Sequence, residues 1–350
     1  MTPPVWATDT TPTRLVSWAS PVGPQSLTYD TLCGLRAFLV FLNANQALGG
    51  REVDLFTLDL DDSGPDFLNR LALLLDNKKP HLIVGGAANS RPVVTANFFQ
   101  RRGLGWYGPW SNNPDIKTQS DNNPTLILPT EDQELTALMD HVKKVLGAGD
   151  VHFVYLEGNS ATQTVTRAQS AAQKAGLTLV PLSVSDGFRN WKTLLQPLSQ
   201  ARAIFLWLPP GQATAIVRTL KPTLGKKTLW LTSGLNPPSQ ELTIMTGGHW
   251  AETIFPAVLK PQATIEDSYK HVIRKYGLPG LSLDYQTYLG FAQGQILARA
   301  IYNQGQDSLS NALSKITTSD TLLTGTSSTN DLNLFYLAIS DRKSGWRPVN

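Results

Sequence analysis

Residues 34–62 read GLRAFLVFLNANQALGGREVDLFTLDLDD, and they are the most informative segment of the chain. Apolar residues at helical spacing predict a helix over Tyr29–Leu48, which Gly49-Gly50 ends, because glycine takes the left-handed conformation that commonly stops a helix. The apolar run Val53–Leu60 then predicts a buried strand. A helix joined to a strand by a tight glycine turn is the repeating unit of α/β proteins.

The same alternation continues on both sides of this segment. Arg14–Trp18 and His81–Val84 are predicted strands, and a second round of helices and strands begins at Thr130, which forms a capping-box pattern with Gln133. The pattern predicts an α/β fold of two Rossmann-like lobes with parallel central sheets flanked by helices. Ligands in such folds bind outside the carboxyl ends of the strands. We therefore expect function in the loops after Trp18, Val84, Tyr107, Leu156, Leu208 and Thr232.

Length and composition narrow the class of protein. A chain of 350 residues favours two domains, and 41% apolar with 16% charged residues is typical of a globular protein. A formal net charge of +3 without basic runs predicts no nucleic-acid partner. Apolar stretches such as Leu71–Leu75 are too short to span a bilayer. The start Met1–Pro4 has no signal-peptide pattern, and Thr8–Thr13 is typical of a flexible lead-in to a mature domain.

Motifs for enzyme chemistry are weak. Gly103–Gly108 has dinucleotide-motif spacing, but its glycines straddle a predicted strand instead of following one. The five histidines lack zinc-site spacing, and the single Cys33 lies on an apolar helical stripe. The close carboxylates Asp59, Asp61 and Asp62 are better explained by a turn with helix capping than by a cation site. We predict no catalytic residue, no metal and no cofactor.

In Gly34–Asp62 the helix ends in Asn-Ala-Asn before the glycine pair, and the strand ends in Leu-Asp-Asp. This arrangement resembles the first helix and second strand of the leucine/isoleucine/valine-binding protein family. The resemblance continues through the Asp66–Asp76 helix, the loop Gly85–Pro92 and the late helix Tyr285–Ala300. It implies a type I periplasmic binding protein, whose two α/β lobes are joined by three crossings and hold the ligand between them.

The resemblance also implies domain boundaries. After a lead-in over residues 1–13, lobe one comprises residues 14–128 plus 257–325, and lobe two comprises residues 129–256 plus 326–350. The crossings are expected near Leu128–Thr130, Phe255–Ala257 and Thr324–Leu334.

Ligand contacts follow from the same resemblance. In amino-acid-binding members, hydroxyl groups and backbone amides of two lobe-one loops hold the ligand carboxylate, and the matching residues here include Ala87, Asn89, Ser90, Ser111 and Asn112. The family's acidic partner for the ligand ammonium is matched by Ser233. The family's disulfide is also missing, since Ser63 and Gly86 stand at its places. A buried ammonium without a carboxylate is costly, so we expect a ligand other than an ordinary α-amino acid.

Three tryptophans lie at or just beyond the ends of predicted strands: Trp18, Trp110 and Trp207. One interpretation is core or rim packing. The other is an aromatic wall that stacks on a flat ligand or contacts a quaternary ammonium.

Two classes of function remain open. The first is the substrate-binding component of an ABC importer, a periplasmic monomer with a small-molecule ligand and a membrane permease as partners, whose export signal would precede Thr2. Its solute would have an aromatic or apolar body and a polar, oxygen-bearing end. The second is a ligand-sensing or partner-docking domain on the same fold without a transport role.

Overall fold

The computed structural model describes residues 11–19, 26–60, 64–86, 91–116, 124–158, 161–185, 196–220, 228–235, 251–257, 263–305, 307–316, 336–341 and 345–348. The chain divides into two compact units, Met1–Leu128 with Leu259–Leu334 and Pro129–Val258 with Phe335–Asn350. The chain therefore passes from one unit to the other three times. Among the described helices, none is long and apolar enough to cross a membrane.

The first unit is built on a parallel sheet. In the described part of the chain its strands are β1 (Thr13–Ala19), β2 (Val53–Asp59), β3 (Leu82–Val84) and β4 (Trp106–Tyr107), in the order β2-β1-β3-β4. The helices of this unit are α1 (Ser26–Ala44), α2 (Phe67–Lys78), α3 (Pro92–Gln100), α7 (Ala263–Tyr276), α8 (Tyr285–Asn303) and α9 (Leu309–Ser314). The short helix α9 has no counterpart in the sequence prediction.

One asparagine within residues 34–62 forms hydrogen bonds that join the helix and the strand of this segment. The Asn43 side chain donates to the Val53 carbonyl and accepts from the Val53 amide, both at 3.0 Å. This two-way pairing joins the end of α1 to the start of β2. Helix α1 ends at Ala44 and not at Leu48, because Gln46 and Gly49 have positive φ and form turns.

Helices α1 and α8 pack with their backbones in contact. A Cβ atom on Gly290 would overlap the Thr31 carbonyl oxygen, and a Cβ on Gly34 would overlap the carbonyl of Thr287. Glycine is required at both positions because any side chain would push the helices apart. The late helix α8 is thereby fixed against the first helix of the chain.

The second unit contains a larger sheet. Its described strands are β5 (Asp150–Leu156), β6 (Thr178–Val184), β7 (Ala203–Trp207), β8 (Thr228–Thr232), β9 (Ala251–Ala257), β10 (Tyr336–Asp341) and β11 (Gly345–Pro348), in the order β11-β10-β9-β8-β7-β5-β6. The strands β5 to β9 run parallel. At one edge of the sheet, β10 pairs antiparallel with β9, and β11 pairs antiparallel with β10. The sequence predicted parallel central sheets and did not predict the antiparallel pairing at this edge.

Helices cover this sheet on both faces. They are α4 (Glu131–Leu146), α5 (Ala161–Lys174) and α6 (Pro210–Leu220). The predicted capping box is confirmed, since the Thr130 side chain accepts from the Gln133 amide and the Gln133 side chain accepts from the Thr130 amide. One core contains Phe153 and Phe205, and the core on the other face contains Trp230.

Candidate functional site

The loops after β3 and β4 in the first unit are bonded to each other through their backbones. The Trp110 amide donates to the Gly86 carbonyl at 2.9 Å, and the Trp106 indole donates to the Gly85 carbonyl at 2.8 Å. Gly85 and Gly86 both have positive φ, so side chains at these positions would strain the backbone. The carboxyl ends of neighbouring parallel strands are thus linked by hydrogen bonds.

A small cavity of about 10 Å³ lies at this edge. A volume of this size holds one water molecule or one ligand atom of similar size. The Ser17 hydroxyl of β1 is buried there and forms no hydrogen bond within the described chain. A buried hydroxyl without a partner costs about 1–3 kcal/mol, so this oxygen favours a water or a polar ligand atom in the cavity. The full lining is Ser17, Thr28, Thr31, Leu32, Leu35, Gly85, Gly86, Gly108, Trp110 and Gln293.

Gln293 reaches this cavity from α8, far along the chain. The Gln293 side-chain amide donates to the Gly108 carbonyl at 3.2 Å, and the Gln293 backbone carbonyl accepts from the Tyr107 hydroxyl at 3.4 Å. Burial raises the pKa of Tyr107, which stays a neutral hydrogen-bond donor. The sequence prediction missed Ser17, Thr28, Thr31 and Gln293. Thr28 and Thr31 were accessible to sequence reasoning, because the helix after β1 begins at the carboxyl edge of the sheet.

Trp18 belongs to the core of the first unit. It is 0% exposed and packs against the rings of Phe67, Phe99 and Trp106, with centroid distances of 5.4 to 5.8 Å. This burial fits the packing interpretation of Trp18, and a direct contact of Trp18 with a ligand stays a prediction. A Cβ on Gly86 would touch the Trp18 indole, so the ring supports the loop that lines the cavity.

Trp110 is the predicted aromatic that the structure brings to the cavity, and it is 4% exposed. Ser111 and Asn112 follow it and are buried, and the Ser111 hydroxyl accepts from the Asn113 amide at 3.2 Å. The Ser111 oxygen is thus engaged in a local turn. The other predicted lobe-one residues, Ala87, Asn89 and Ser90, lie outside the described residues.

Trp207 ends β7 in the second unit and is partly buried. Its ring lies 6.0 Å from that of Phe153 and 5.6 Å from that of Phe205. Trp207 packs at the margin of the core that contains these rings. It lies at the carboxyl end of its strand, as predicted, with part of its surface accessible.

Ser233 follows β8 and is 1% exposed. Its hydroxyl accepts from the Leu235 amide at 3.1 Å, and the Gly234 amide donates to a Glu134 carboxylate oxygen at 2.6 Å. A buried carboxylate from α4 therefore lies beside the position that the sequence identified as lacking an acid. Sequence reasoning missed Glu134 because 100 residues separate it from Gly234.

Two further polar groups of the second unit have unused acceptor atoms. Thr232 is the last residue of β8, and its hydroxyl is buried without a hydrogen bond in the described chain. Glu131 forms a 2.6 Å ion pair with Arg167 through one carboxylate oxygen, while its other oxygen is buried without a partner there. Such atoms favour a bound water or a ligand that donates hydrogen bonds.

The described residues contain no arrangement typical of metal or thiol chemistry. Among them, no three His, Cys, Asp or Glu side chains are placed to hold a metal ion. Cys33 is buried, and burial raises the pKa of its thiol, which disfavours the reactive thiolate. Gly103 and Gly108 lie on either side of β4, so they do not form a phosphate-binding turn after a strand. Asp61 and Asp62 lie outside the described residues.

The comparisons identify the class of protein. A family model described as periplasmic binding protein matches residues 22–333. The chain therefore belongs to the periplasmic binding protein family, as the resemblance in its sequence predicted, and a solute-binding fold is its architecture. No curated protein matches the chain.

Solved structures share this fold at low sequence identity. A substrate-binding periplasmic protein from Ralstonia solanacearum has a TM-score of 0.77 at 15% identity, over 96% of this chain and 99% of its own. A possible leucine/isoleucine/valine-binding protein from Rhodopirellula baltica has a TM-score of 0.76 at 16% identity, with 100% and 98% covered. A solute-binding protein of an ABC transporter from R. palustris, in complex with benzoate, has a TM-score of 0.74 at 13% identity, with 97% and 96% covered.

Proposed function

We propose that this protein is the substrate-binding component of an ABC importer and works in the periplasm. Its solute has a flat or apolar body and a polar, oxygen-bearing end, and it is not an ordinary α-amino acid. The observation that carries the proposal is the cavity at the carboxyl edge of the first sheet. Both Ser17, whose hydroxyl forms no hydrogen bond within the described chain, and Trp110 line this cavity, which combines a polar group for one atom with an aromatic side chain.

The two parts of the cavity have different roles in this proposal. The Ser17 hydroxyl donates to a carboxylate or hydroxyl oxygen of the solute, in the space of about 10 Å³ that it lines. Trp110 packs on the body of the solute. Asn89, Ser90, Ser111 and Asn112 remain proposed donors at the same end, and Trp207, Ser233 and Ala87 remain proposed contacts. Trp18 acts indirectly, by supporting Gly86.

Aromatic carboxylates are the first solutes to test. They combine a planar apolar body with a charged oxygen pair, and the relative from R. palustris was solved with benzoate. A hydrogen bond to a charged group contributes about 1.5–3 kcal/mol, so Ser17→Ala is expected to weaken benzoate binding tenfold or more. Trp110→Ala is expected to cost about 2–4 kcal/mol if the ring is a central anchor.

Calorimetry on the whole protein tests this assignment. The panel comprises benzoate, a larger aromatic carboxylate, a quaternary amine, leucine and valine. Ser199→Ala is the matched control for Ser17→Ala, because Ser199 is an exposed residue of the second unit whose hydroxyl donates to the nearby Gln196 carbonyl. Trp110→Phe separates loss of the aromatic face from loss of volume. Micromolar leucine binding that Ser17→Ala and Trp110→Ala leave unchanged would contradict the proposed ligand class.

The importer role has its own test. Native mass spectrometry of the purified protein is expected to show a bound small molecule, and transport assays with the permease encoded beside the gene are expected to require the binding protein. Absence of permease and ATPase genes, together with an adjoining kinase or regulator gene, would favour the sensing or docking role.

A further inference from the structure

The amino edge of the first sheet lies at the opposite end of the strands from the cavity that Ser17 lines. The four parallel strands begin side by side there, because β1 is in register with β2 from Thr13 onwards and β3 with β4 from Ile83 onwards. The His81 amide, just before β3, donates to the Arg14 carbonyl of β1 at 2.8 Å. A helix that connects two parallel strands runs back along the sheet, so α1, α2 and α3 also end at this edge. The strand starts and the helix ends therefore share one surface.

Basic side chains are concentrated on this surface. Among the described residues, its six cations, which we call the basic edge, are Arg14, Arg51, Lys78, Lys79, Arg101 and Arg102. The carboxylates at the same strand starts and helix ends are Glu52, Asp54 and Asp76. The surplus of three positive charges equals the formal net charge of the whole chain, which is +3. One edge of one sheet thus concentrates the positive charge of the protein.

Three of these cations are fully presented to solvent. Lys79, Arg101 and Arg102 are exposed, and within the described part of the chain Lys79 and Arg101 form no ion pair. The Arg102 guanidinium lies over the Phe98 ring at 4.0 Å from its centroid, so an aromatic contact holds this charge at the surface. These charges are therefore available to an anionic partner outside the protein.

We propose that the basic edge docks on a membrane surface that carries anionic phospholipid headgroups. Neighbouring strands lie about 4.8 Å apart, so four strand starts spread the cations over about 15 Å instead of gathering them around one ion. A nucleic acid is less favoured, because Phe98 is 8% exposed under Arg102 and offers no ring on which a base stacks.

This docking is compatible with solute binding. The cavity that Ser17 and Trp110 line is at the carboxyl edge of the same sheet, so a membrane at the amino edge leaves it uncovered. The attraction is electrostatic and reversible, and it does not depend on which solute the protein binds.

Flotation of the whole protein with lipid vesicles tests this surface directly. The protein is expected to bind vesicles made of phosphatidylglycerol and phosphatidylcholine in equal parts, and not vesicles of phosphatidylcholine alone. Raising the ionic strength from about 0.01 M to about 1 M shortens the Debye length from about 30 Å to about 3 Å and is expected to release the protein. This comparison uses the unaltered protein and needs no variant to fold.

Two double variants assign the binding to the basic edge. A basic side chain near an anionic surface contributes about fivefold to affinity, so Arg101→Gln with Arg102→Gln is expected to weaken vesicle binding about 25-fold. Lys143→Gln with Lys144→Gln is the matched control, because it removes the same charge from an exposed pair at the end of α4 in the second unit. The control is expected to bind as the native protein does.

Three results would overturn the proposal. They are equal binding to the two kinds of vesicle, equal affinities of the two double variants for anionic vesicles, and binding to a single-stranded oligonucleotide without binding to vesicles. Circular dichroism is expected to show that both double variants are folded, so a loss of binding reports the removed charges.

Discussion

The close contact between α1 and α8 predicts that a side chain added at this contact lowers the free energy of unfolding. In Gly290→Ala the new methyl group would overlap the Thr31 carbonyl oxygen and lie 2.7 Å from the Leu35 amide nitrogen. Overpacking costs about 1–3 kcal/mol, and the upper end applies here because the opposing atoms are backbone and not a flexible side chain. The higher helix propensity of alanine offsets about 1 kcal/mol of this loss in the free energy of unfolding. The net loss is about 2 kcal/mol in the free energy of unfolding.

Urea denaturation followed by circular dichroism measures this loss, and thermal unfolding is expected to show a Tm lower by about 4–8 °C. Gly211→Ala is the matched control, since Gly211 is also helical and no atom lies within 4 Å of its added Cβ. That variant is expected to be neutral or more stable. A Gly290→Ala protein as stable as Gly211→Ala would refute the inference that the two helix backbones require glycine between them.

Three further predictions concern single side chains. Glu134→Ala removes the buried acceptor of the Gly234 amide and is expected to cost about 1–3 kcal/mol by urea denaturation, with a smaller loss for Glu134→Gln, which keeps an acceptor. Burial, with a smaller contribution from Asp284, raises the pKa of Asp30 to about 6. Because this folded-state pKa exceeds the unfolded-state pKa, ionisation of Asp30 lowers the free energy of unfolding as pH rises from about 4 to 6. Asp30→Asn is therefore expected to be more stable than the native protein at pH 7 but not at pH 4. Cys33 is 5% exposed, so a thiol reagent is expected to label one equivalent after denaturation and little before it, and rapid native labelling would contradict its burial.

Local signals in the sequence predicted the elements that depend on neighbouring residues. The Thr130–Gln133 capping box was predictable because both partners lie within one turn of helix. The strand Thr228–Thr232 ends at the predicted residue Thr232, since a short run of apolar and β-branched residues marks a buried strand. Alternating helices and strands also predicted the fold class. The domain boundaries predicted from family resemblance stay predictions in their detail.

Contacts between distant residues were beyond this kind of reasoning. The antiparallel pairing of β10 with β9 depends on a strand that returns from the end of the chain, and no local pattern specifies its partner. Trp18 illustrates the same limit for side chains. A tryptophan at a strand end can lie in a core or in a cleft. Only the structure shows that Trp18 packs against the rings of Phe67, Phe99 and Trp106.

Sequence reasoning alone predicted the alternation of helices and strands, the family and the edge of the sheet where binding is expected. Tertiary structure alone brought Gln293 to Gly108 and Glu134 to Gly234, across 185 and 100 residues. It also buried the Ser17 hydroxyl without a hydrogen-bond partner among the residues that the structure describes. The spacing of apolar residues in a helix or strand follows from local backbone geometry, so it can be recognised within a few residues. The hydrogen-bond partners of a buried polar group depend on which distant residues the folded chain places beside it.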